Sequence, residues 1–87
     1  MVIYKGETRN LGISISNITN NVFIIDSAEY AISNSENIVI DSGTATINGH
    51  NIYALIKGDT VGQFTMVFIY KIGVEIMKAK FNVEVVE

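Results

Sequence analysis

Residues 77–85 read Met-Lys-Ala-Lys-Phe-Asn-Val-Glu-Val, and this stretch decides the class of fold. Apolar side chains occupy every second position, and polar side chains fill the positions between them. Because successive side chains of a β-strand point to opposite faces, the pattern predicts a strand with one face toward a core and the other toward water. A slip of one residue would expose the whole apolar set, so the apolar face also specifies the register of this strand.

The segment just before this strand, residues 64–70, is the most apolar in the chain. Large side chains occupy its even-numbered positions, and Thr, Val and Ile occupy the odd ones. A strand that is apolar on both faces is expected at the centre of its sheet. Residues 71–73, Lys-Ile-Gly, are predicted to form a short hairpin loop to the last strand. The inward faces of the two strands predict five core residues: Phe64, Met66, Phe68, Phe81 and Val83.

The rest of the chain alternates between short extended segments and loops rich in Asn, Ser and Gly. The alternation of side chains predicts further strands over roughly residues 8–17, 28–32, 38–43, 44–47 and 52–56, the last of them buried largely on both faces. Loops are predicted at residues 17–21, 33–37 and 57–60. Asn48-Gly49 is predicted to form a tight turn because both residues tolerate a positive φ. The consecutive apolar residues 22–25 are predicted to enter the core.

About seven strands, spaced roughly 8–14 residues apart with no helix between them, predict an all-β domain. We expect an antiparallel, immunoglobulin-like β-sandwich, with a small closed β-barrel as the alternative. No linker or repeat interrupts the sequence, so residues 1–87 are predicted to form a single domain. The chain has no Pro, so its strand edges need protection by Lys, by short strands or by contact with a partner.

The amino-acid composition supports the same fold class. Of the 87 residues, 15 are Ile, 9 are Val and 6 are Thr, against 2 Leu and 5 Ala. Because β-branched side chains lose rotamer freedom in helices and pack well on pleated sheets, a helical bundle is not expected. The absence of Cys excludes a disulfide scaffold, a thiolate metal site and a cysteine nucleophile.

The charge and hydropathy patterns argue against nucleic-acid and membrane partners. The formal net charge is −3, and the 6 Lys and Arg residues are scattered rather than aligned in a stripe that could neutralise phosphates. Uninterrupted apolar runs such as residues 22–25 are far too short to span a bilayer. The first residues contain no apolar run that resembles a signal peptide. We therefore expect neither nucleic acid nor membrane as a partner, and no signal peptide or transmembrane segment.

The residue types that carry catalysis are few and dispersed. His50 is the single histidine and follows a predicted turn, where a solvated side chain is expected. Asp26 and Glu29 are three positions apart in an extended segment and point to opposite faces. Asp41 and Asp59 would meet only by a coincidence of the tertiary structure. With no nucleophile and base in reach of each other and no metal-ligand spacing, we predict that the chain is not an enzyme and has no catalytic, cofactor-binding or metal-binding residues.

Two kinds of binding surface follow from the remaining residues. Glycan binding would use exposed aromatic rings, and Tyr4 and Tyr53 are the candidates because Tyr30 and Tyr70 share faces with apolar residues of the core or its rim. Because the chain has no Trp, few aromatic rings are available to stack on a sugar. A subunit contact would use apolar residues on faces opposite the main apolar stripes, if they cluster: Val39, Ile69, Ile76 and Val86.

Three short segments resemble bacterial and phage immunoglobulin-like domains. Residues 59–68, Asp-Thr-Val-Gly-Gln-Phe-Thr-Met-Val-Phe, resemble the Asp/Thr-x-x-Gly-x-Tyr/Phe entry to the penultimate strand of these domains. Residues 4–8, Tyr-Lys-Gly-Glu-Thr, resemble their opening. Residues 70–76, Tyr-Lys-Ile-Gly-Val-Glu-Ile, resemble the last hairpin of small domains in phage tail, baseplate and head-associated proteins. Phe64 lacks the hydroxyl of the corner Tyr, and the disulfide and Trp of antibody domains are absent, so the antibody lineage is excluded.

The resemblance implies a non-catalytic structural or interaction domain located in the virion of a phage or prophage. Such a domain would work by protein–protein assembly, with copies of itself or with other phage structural proteins, and would need no cofactor. The alternative is an immunoglobulin-like stalk, or a weak carbohydrate-binding module, of a bacterial surface protein.

Overall fold

The computed structural model describes residues 1–16 and 23–87, so the predicted loop at 17–21 and Val22 lie outside the described residues. Eight strands follow one another in the described part of the chain, which contains no helix. In chain order the strands are β1 (Val2–Tyr4), β2 (Thr8–Ser14), β3 (Ser27–Ser33), β4 (Val39–Thr44), β5 (Thr46–Asn48), β6 (Asn51–Lys57), β7 (Gly62–Ile72) and β8 (Glu75–Val86).

The strands form two sheets that pack as a sandwich. One sheet has the order β1-β8-β7-β3-β4 and the other the order β2-β6-β5. All strand pairs are antiparallel except that β1 runs parallel to β8. In an immunoglobulin sandwich a sheet of strands A, B, E and D faces a sheet of strands C, F and G. The order β2-β6-β5 corresponds to B-E-D and the order β8-β7-β3 to G-F-C, whereas β1 pairs with β8 and β4 adds an edge strand. The predicted all-β sandwich is confirmed, and the described strands do not close into a barrel.

The most apolar strand, β7, lies at the centre of the five-stranded sheet, as its sequence predicts. It pairs along its length with β8 on one side and with β3 on the other, so that Met66 lies opposite both Phe81 and Ile32. Met66 and Phe68 are completely buried. The large apolar side chains of β7 therefore form the middle of the core.

The predicted core is confirmed for Met66, Phe68 and Val83, all of which are 0% exposed. It is only partly right for Phe64 and Phe81, which are half-buried and pack against the core from its margin. Phe64 lies near the start of β7, where the space between the sheets opens. β1 pairs only with residues 84–86 of β8. At Phe81, the side of β8 that faces away from β7 therefore has no neighbouring strand among the described residues.

The alternation that predicted the last strand is confirmed along β8. Val83 and Val85 are buried, whereas Lys78, Lys80 and Asn82 are exposed. The residues nearer the start of β8 are less deeply covered than those at its end. The local pattern therefore predicts which face of β8 points inward, but not how much of that face the second sheet covers.

Glycine sets the position of two hairpin turns. Gly73 and Val74 join β7 to β8, and Gly49 and His50 join β5 to β6. Gly73 has φ 61° and Gly49 has φ 62°. Gly thus takes the first turn position, where a type II′ turn needs a positive φ. Both turns begin later than predicted, because β7 continues to residue 72 and Asn48 still belongs to β5.

Two predictions of burial are wrong. In the segment before β3, Ile25 is buried but Ile24 is 74% exposed. In β6, which was expected to be covered on both faces, Leu55 is 58% exposed and Tyr53 is half-buried. A two-layer sandwich covers each sheet on one face only, so an extended segment buries alternate side chains even where all of them are apolar.

Candidate functional site

A groove of about 450 Å³ opens between the two sheets at the end of the sandwich where β7 begins. The floor of the groove is apolar and includes the buried side chains of Ile32, Ile56 and Val85 and the half-buried ring of Phe64. Exposed residues on the rim include Ile40, Asp41, Lys57, Asp59 and Val61. We call this cavity the end groove.

The end groove lies beside the part of β6 that extends past β5. β5 pairs with β6 only at residues 51–53, so residues 54–57 of β6 have no described neighbour on that side. β4 lies at the edge of the other sheet, and all of its residues are exposed. The groove lies between the unpaired end of β6, which contributes Ile56 and Lys57, and the edge strand β4, which contributes Ile40 and Asp41.

Exposed apolar residues lie at the start of β4, beside the groove that Ile40 lines. Ile38, Val39 and Ile40 are 55%, 56% and 54% exposed. The turn before them is closed by Asn34, whose side-chain oxygen accepts hydrogen bonds from the backbone N–H groups of Glu36 at 2.9 Å and Ile38 at 3.1 Å. Residues 38–40 were predicted to start a strand, and Val39 was predicted to face away from the core, but the exposure of Ile38 and Ile40 was not predicted. Three consecutive exposed apolar residues, two at the start of an edge strand and one just before it, favour a contact surface.

The charged part of the rim unites residues that are distant in sequence. Asp41 on β4 and Asp59 in the loop before β7 both line the end groove, together with Lys57 at the end of β6. No pattern in the sequence predicts that these three residues line the same groove. Within the part of the chain that the structure describes, neither carboxylate forms an ion pair. Their charges therefore remain available to a partner that carries ammonium groups.

The residue types that support catalysis are not assembled in the end groove. His50 lies at the opposite end of β6, in the turn that joins it to β5. His50 is exposed, as expected of a turn residue, and its ring also stacks on the ring of Phe23, which was not predicted. Over residues 1–16 and 23–87, no group of three or more His, Asp or Glu side chains is arranged to hold a metal ion. The groove thus presents two carboxylates and an ammonium group over an apolar floor.

The structure does not bring the two candidate residues for glycan stacking together. Tyr4 is 61% exposed on β1, in the five-stranded sheet. Tyr53 lies on β6, in the three-stranded sheet, where its ring covers Gly12. Tyr30 and Tyr70 are half-buried and pack against the core, as predicted. A platform of two adjacent tyrosine rings is therefore not formed.

The four residues predicted as a possible subunit contact belong to the five-stranded sheet, but they do not form one patch. Ile69 and Ile76 are near neighbours on β7 and β8, because Ile69 lies opposite Lys78 and Ile76 opposite Lys71. The residue directly across from each of these isoleucines, on the same face of the sheet, is thus a lysine. The other two candidates lie apart from this pair: Val39 on the edge strand β4 and Val86 at the end of β8.

A second exposed apolar cluster lies at the turn between β7 and β8. Val74 is 96% exposed and Ile76 is 68% exposed. The turn is held by Asp26, whose carboxylate accepts a hydrogen bond of 2.9 Å from the N–H of Gly73 and whose own N–H donates to the carbonyl of Lys71 at 2.8 Å. We call residues 73–76 the hairpin tip. It is a narrow, anchored projection with apolar side chains.

In the part of the chain that the structure describes, no helix has the length and apolar character needed to cross a membrane.

Comparison with known proteins gives no match. The chain matches no protein-family model, no curated protein and no solved structure at a significant level.

Proposed function

We propose that the chain is a non-catalytic interaction domain that works by protein–protein assembly, as a virion-associated domain of a phage or prophage. The observation that carries the assembly role is the exposure of Ile38, Val39 and Ile40 beside the apolar end groove. Contiguous exposed apolar surface next to a concave site marks contact surfaces in soluble proteins.

Two further features support assembly over catalysis. The end groove is lined by Asp41, Asp59 and Lys57 and by the hydroxyl side chains of Ser35 and Thr60, and no histidine stands beside these hydroxyls to act as their base. The chain's single histidine lies at the other end of the molecule, stacked on Phe23. Charged groups around an apolar floor suit recognition of a partner of opposite charge.

The proposed virion location rests on the resemblance of three segments to phage immunoglobulin-like domains: residues 4–8, 59–68 and 70–76. The strand order of the sandwich is compatible with such a domain. Sandwich folds serve many unrelated functions, so the fold supports this location without selecting it. The alternative is a stalk or weak glycan-binding module of a bacterial surface protein.

The assembly role is tested by sedimentation velocity over a range of concentrations, with Ile38→Ser/Ile40→Ser against a Leu55→Ser control. Leu55 is equally exposed but lies on the three-stranded sheet. We expect the wild-type chain and the control to associate, and the double variant to associate at least tenfold more weakly. A wild-type chain that stays monomeric at millimolar concentration and binds no structural protein of a virion would contradict the proposal.

The genes that flank the reading frame test the location. Tail, portal or capsid genes on either side are the expected finding. A longer reading frame with a secretion signal and a cell-wall anchor would favour the surface stalk. Binding to a glycan array that is lost in Tyr53→Ala would favour the glycan-binding alternative.

A further inference from the structure

Asn48 and Gly49 form an exposed pair at the turn between β5 and β6, remote from the end groove. Asn48 is the one asparagine of the chain that is followed by glycine. Both residues are exposed, and a Cβ atom at Gly49 would meet nothing within 4 Å among the described residues. No side chain at residue 49 therefore hinders an approach of the Asn48 side-chain amide to the backbone nitrogen of Gly49.

We propose that this pair is a site of spontaneous deamidation, at which the side chain of Asn48 reacts with the backbone nitrogen of Gly49. The nitrogen loses its proton to solvent and bonds to the side-chain carbonyl carbon, Cγ, of Asn48. The bond from Cγ to Nδ2 breaks, and Nδ2 leaves as ammonia with a proton from solvent. Water then opens the succinimide ring at one of its two carbonyl carbons, which gives aspartate or isoaspartate at position 48. Water is the only co-reactant, and no group is oxidised or reduced.

The position of the pair in the hairpin leaves the attacking nitrogen free. Asn48 pairs with Asn51, so the backbone hydrogen bonds that close the hairpin belong to these two residues rather than to the turn between them. The N–H of Gly49 donates to no backbone acceptor in the described part of the chain. The nitrogen can therefore react without first losing a hydrogen bond of the sheet.

Asn34, which Ser35 follows, has the opposite arrangement and serves as an internal reference. Its residue is half-buried, and its side-chain oxygen accepts hydrogen bonds from the N–H groups of Glu36 at 2.9 Å and Ile38 at 3.1 Å. These bonds hold the amide in place, so turning it toward the next backbone nitrogen costs both of them. Ser35 also places a side chain beside that nitrogen, where Gly49 has none.

Isoaspartate at position 48 alters the end of the sandwich where His50 lies. In isoaspartate the chain runs through the former side chain, which adds a methylene to the backbone beside a two-residue turn. The length of such a turn fixes the register of its strands, and β5 has only 3 residues to hold that register. His50 belongs to the same turn; its ring stacks on Phe23, and its carbonyl accepts the N–H of Ile15 at 2.8 Å. The lengthened turn therefore displaces His50 and loosens both contacts.

The site is tested by incubating the purified chain in mildly alkaline buffer and following Asn48 and Asn34 by peptide mass spectrometry. Asn48→Gln is the matched control, because it keeps an exposed amide whose longer side chain closes a ring far more slowly. We expect Asn48 to convert at least tenfold faster than Asn34, whose hydrogen bonds must break first. A form of the chain one charge more negative than −3 should accumulate in the wild type and not in Asn48→Gln. Equal rates at the two asparagines, or an unchanged Asn48, would overturn the proposal.

The structural consequence is tested on the isoaspartyl form, separated by chromatography and identified by enzymatic methylation of its carboxylate. Amide hydrogen exchange at Ile15 reports on its bond to the carbonyl of His50. We expect exchange at Ile15 to be at least fivefold faster in the isoaspartyl form, and unchanged in the aspartyl form, whose backbone is intact. Equal exchange in the isoaspartyl form and the unmodified chain would overturn this consequence. The assembly role is measured at residues 38–40, so a failure here leaves the proposed function standing.

Discussion

The ring of His50 stacks on the ring of Phe23, with centroids 4.0 Å apart and planes 12° from parallel. The Nε2 atom of His50 also lies 3.0 Å from the carbonyl oxygen of Phe23. His50 belongs to the turn between β5 and β6, whereas Phe23 precedes β3 in the other sheet. The chain's single histidine therefore joins the two sheets at the end remote from the groove.

The first prediction concerns this link. His50→Ala removes the stacked ring, and we expect it to lower the free energy of unfolding by about 1 kcal/mol, the usual size of an aromatic pair. His50→Phe keeps a ring at the position and should recover part of the loss. Urea unfolding of the three proteins is the measurement, and equal stability of His50→Ala and the wild type would show that the contact contributes nothing.

The second prediction compares two phenylalanines of β7. Phe68 is completely buried and packs against Phe81, with ring centroids 5.9 Å apart, so Phe68→Ala should cost about 3–5 kcal/mol. Phe64 is half-buried at the end groove, so Phe64→Ala should cost roughly 1–2 kcal/mol. Chemical denaturation of both variants checks the order, and a larger cost at Phe64 would contradict the description of the core.

The third prediction concerns the contact between β2 and β6. A Cβ atom at Gly12 would overlap the ring of Tyr53 and lie 3.0 Å from the carbonyl oxygen of Ile52. Gly12→Ala should therefore displace the tyrosine ring and lower the free energy of unfolding. A double-mutant cycle with Tyr53→Ala is the measurement, and we expect a coupling of about 1 kcal/mol because much of the clash disappears with the ring. Additive effects would show that the ring does not lie over Gly12.

The fourth prediction concerns the anchor of the hairpin tip. Asp26→Ala removes the acceptor of the Gly73 N–H, and amide hydrogen exchange at Gly73 should then be about fivefold faster, the factor that corresponds to a hydrogen bond of ~1 kcal/mol. Asp26→Asn retains an acceptor oxygen and should preserve most of the protection. Exchange rates at Gly73 that do not differ among the three proteins would rule out the anchor.

Much of the fold could be predicted because the signals for it are local. The alternation along β8 identifies Val83 and Val85 as inward-facing, and the density of apolar side chains in β7 predicts its central position; both are confirmed. Gly49 and Gly73 mark hairpin turns to within a residue or two, because only a few residues tolerate a positive φ there.

The candidate site could not be predicted in the same way. Ile38 and Ile40 are exposed at an edge strand, and the groove beside Ile40 lies where β6 extends past the 3 residues of β5. Neither fact is visible in the residues of β4 itself, since apolar residues in an edge strand and in a buried strand look alike in sequence. Asp41 and Asp59 line the same groove only through the packing of distant segments.

The sequence by itself determined the strand content of this protein and the inward face of its main strands, because the two-residue period of a strand and the apolar character of its side chains are properties of neighbouring residues. The tertiary structure alone decided which strands lie at edges, where the layers stop covering each other, and which charges meet. Those features depend on contacts between residues far apart in the chain. They place an apolar tip and an acidic-rimmed groove at opposite ends of one sandwich.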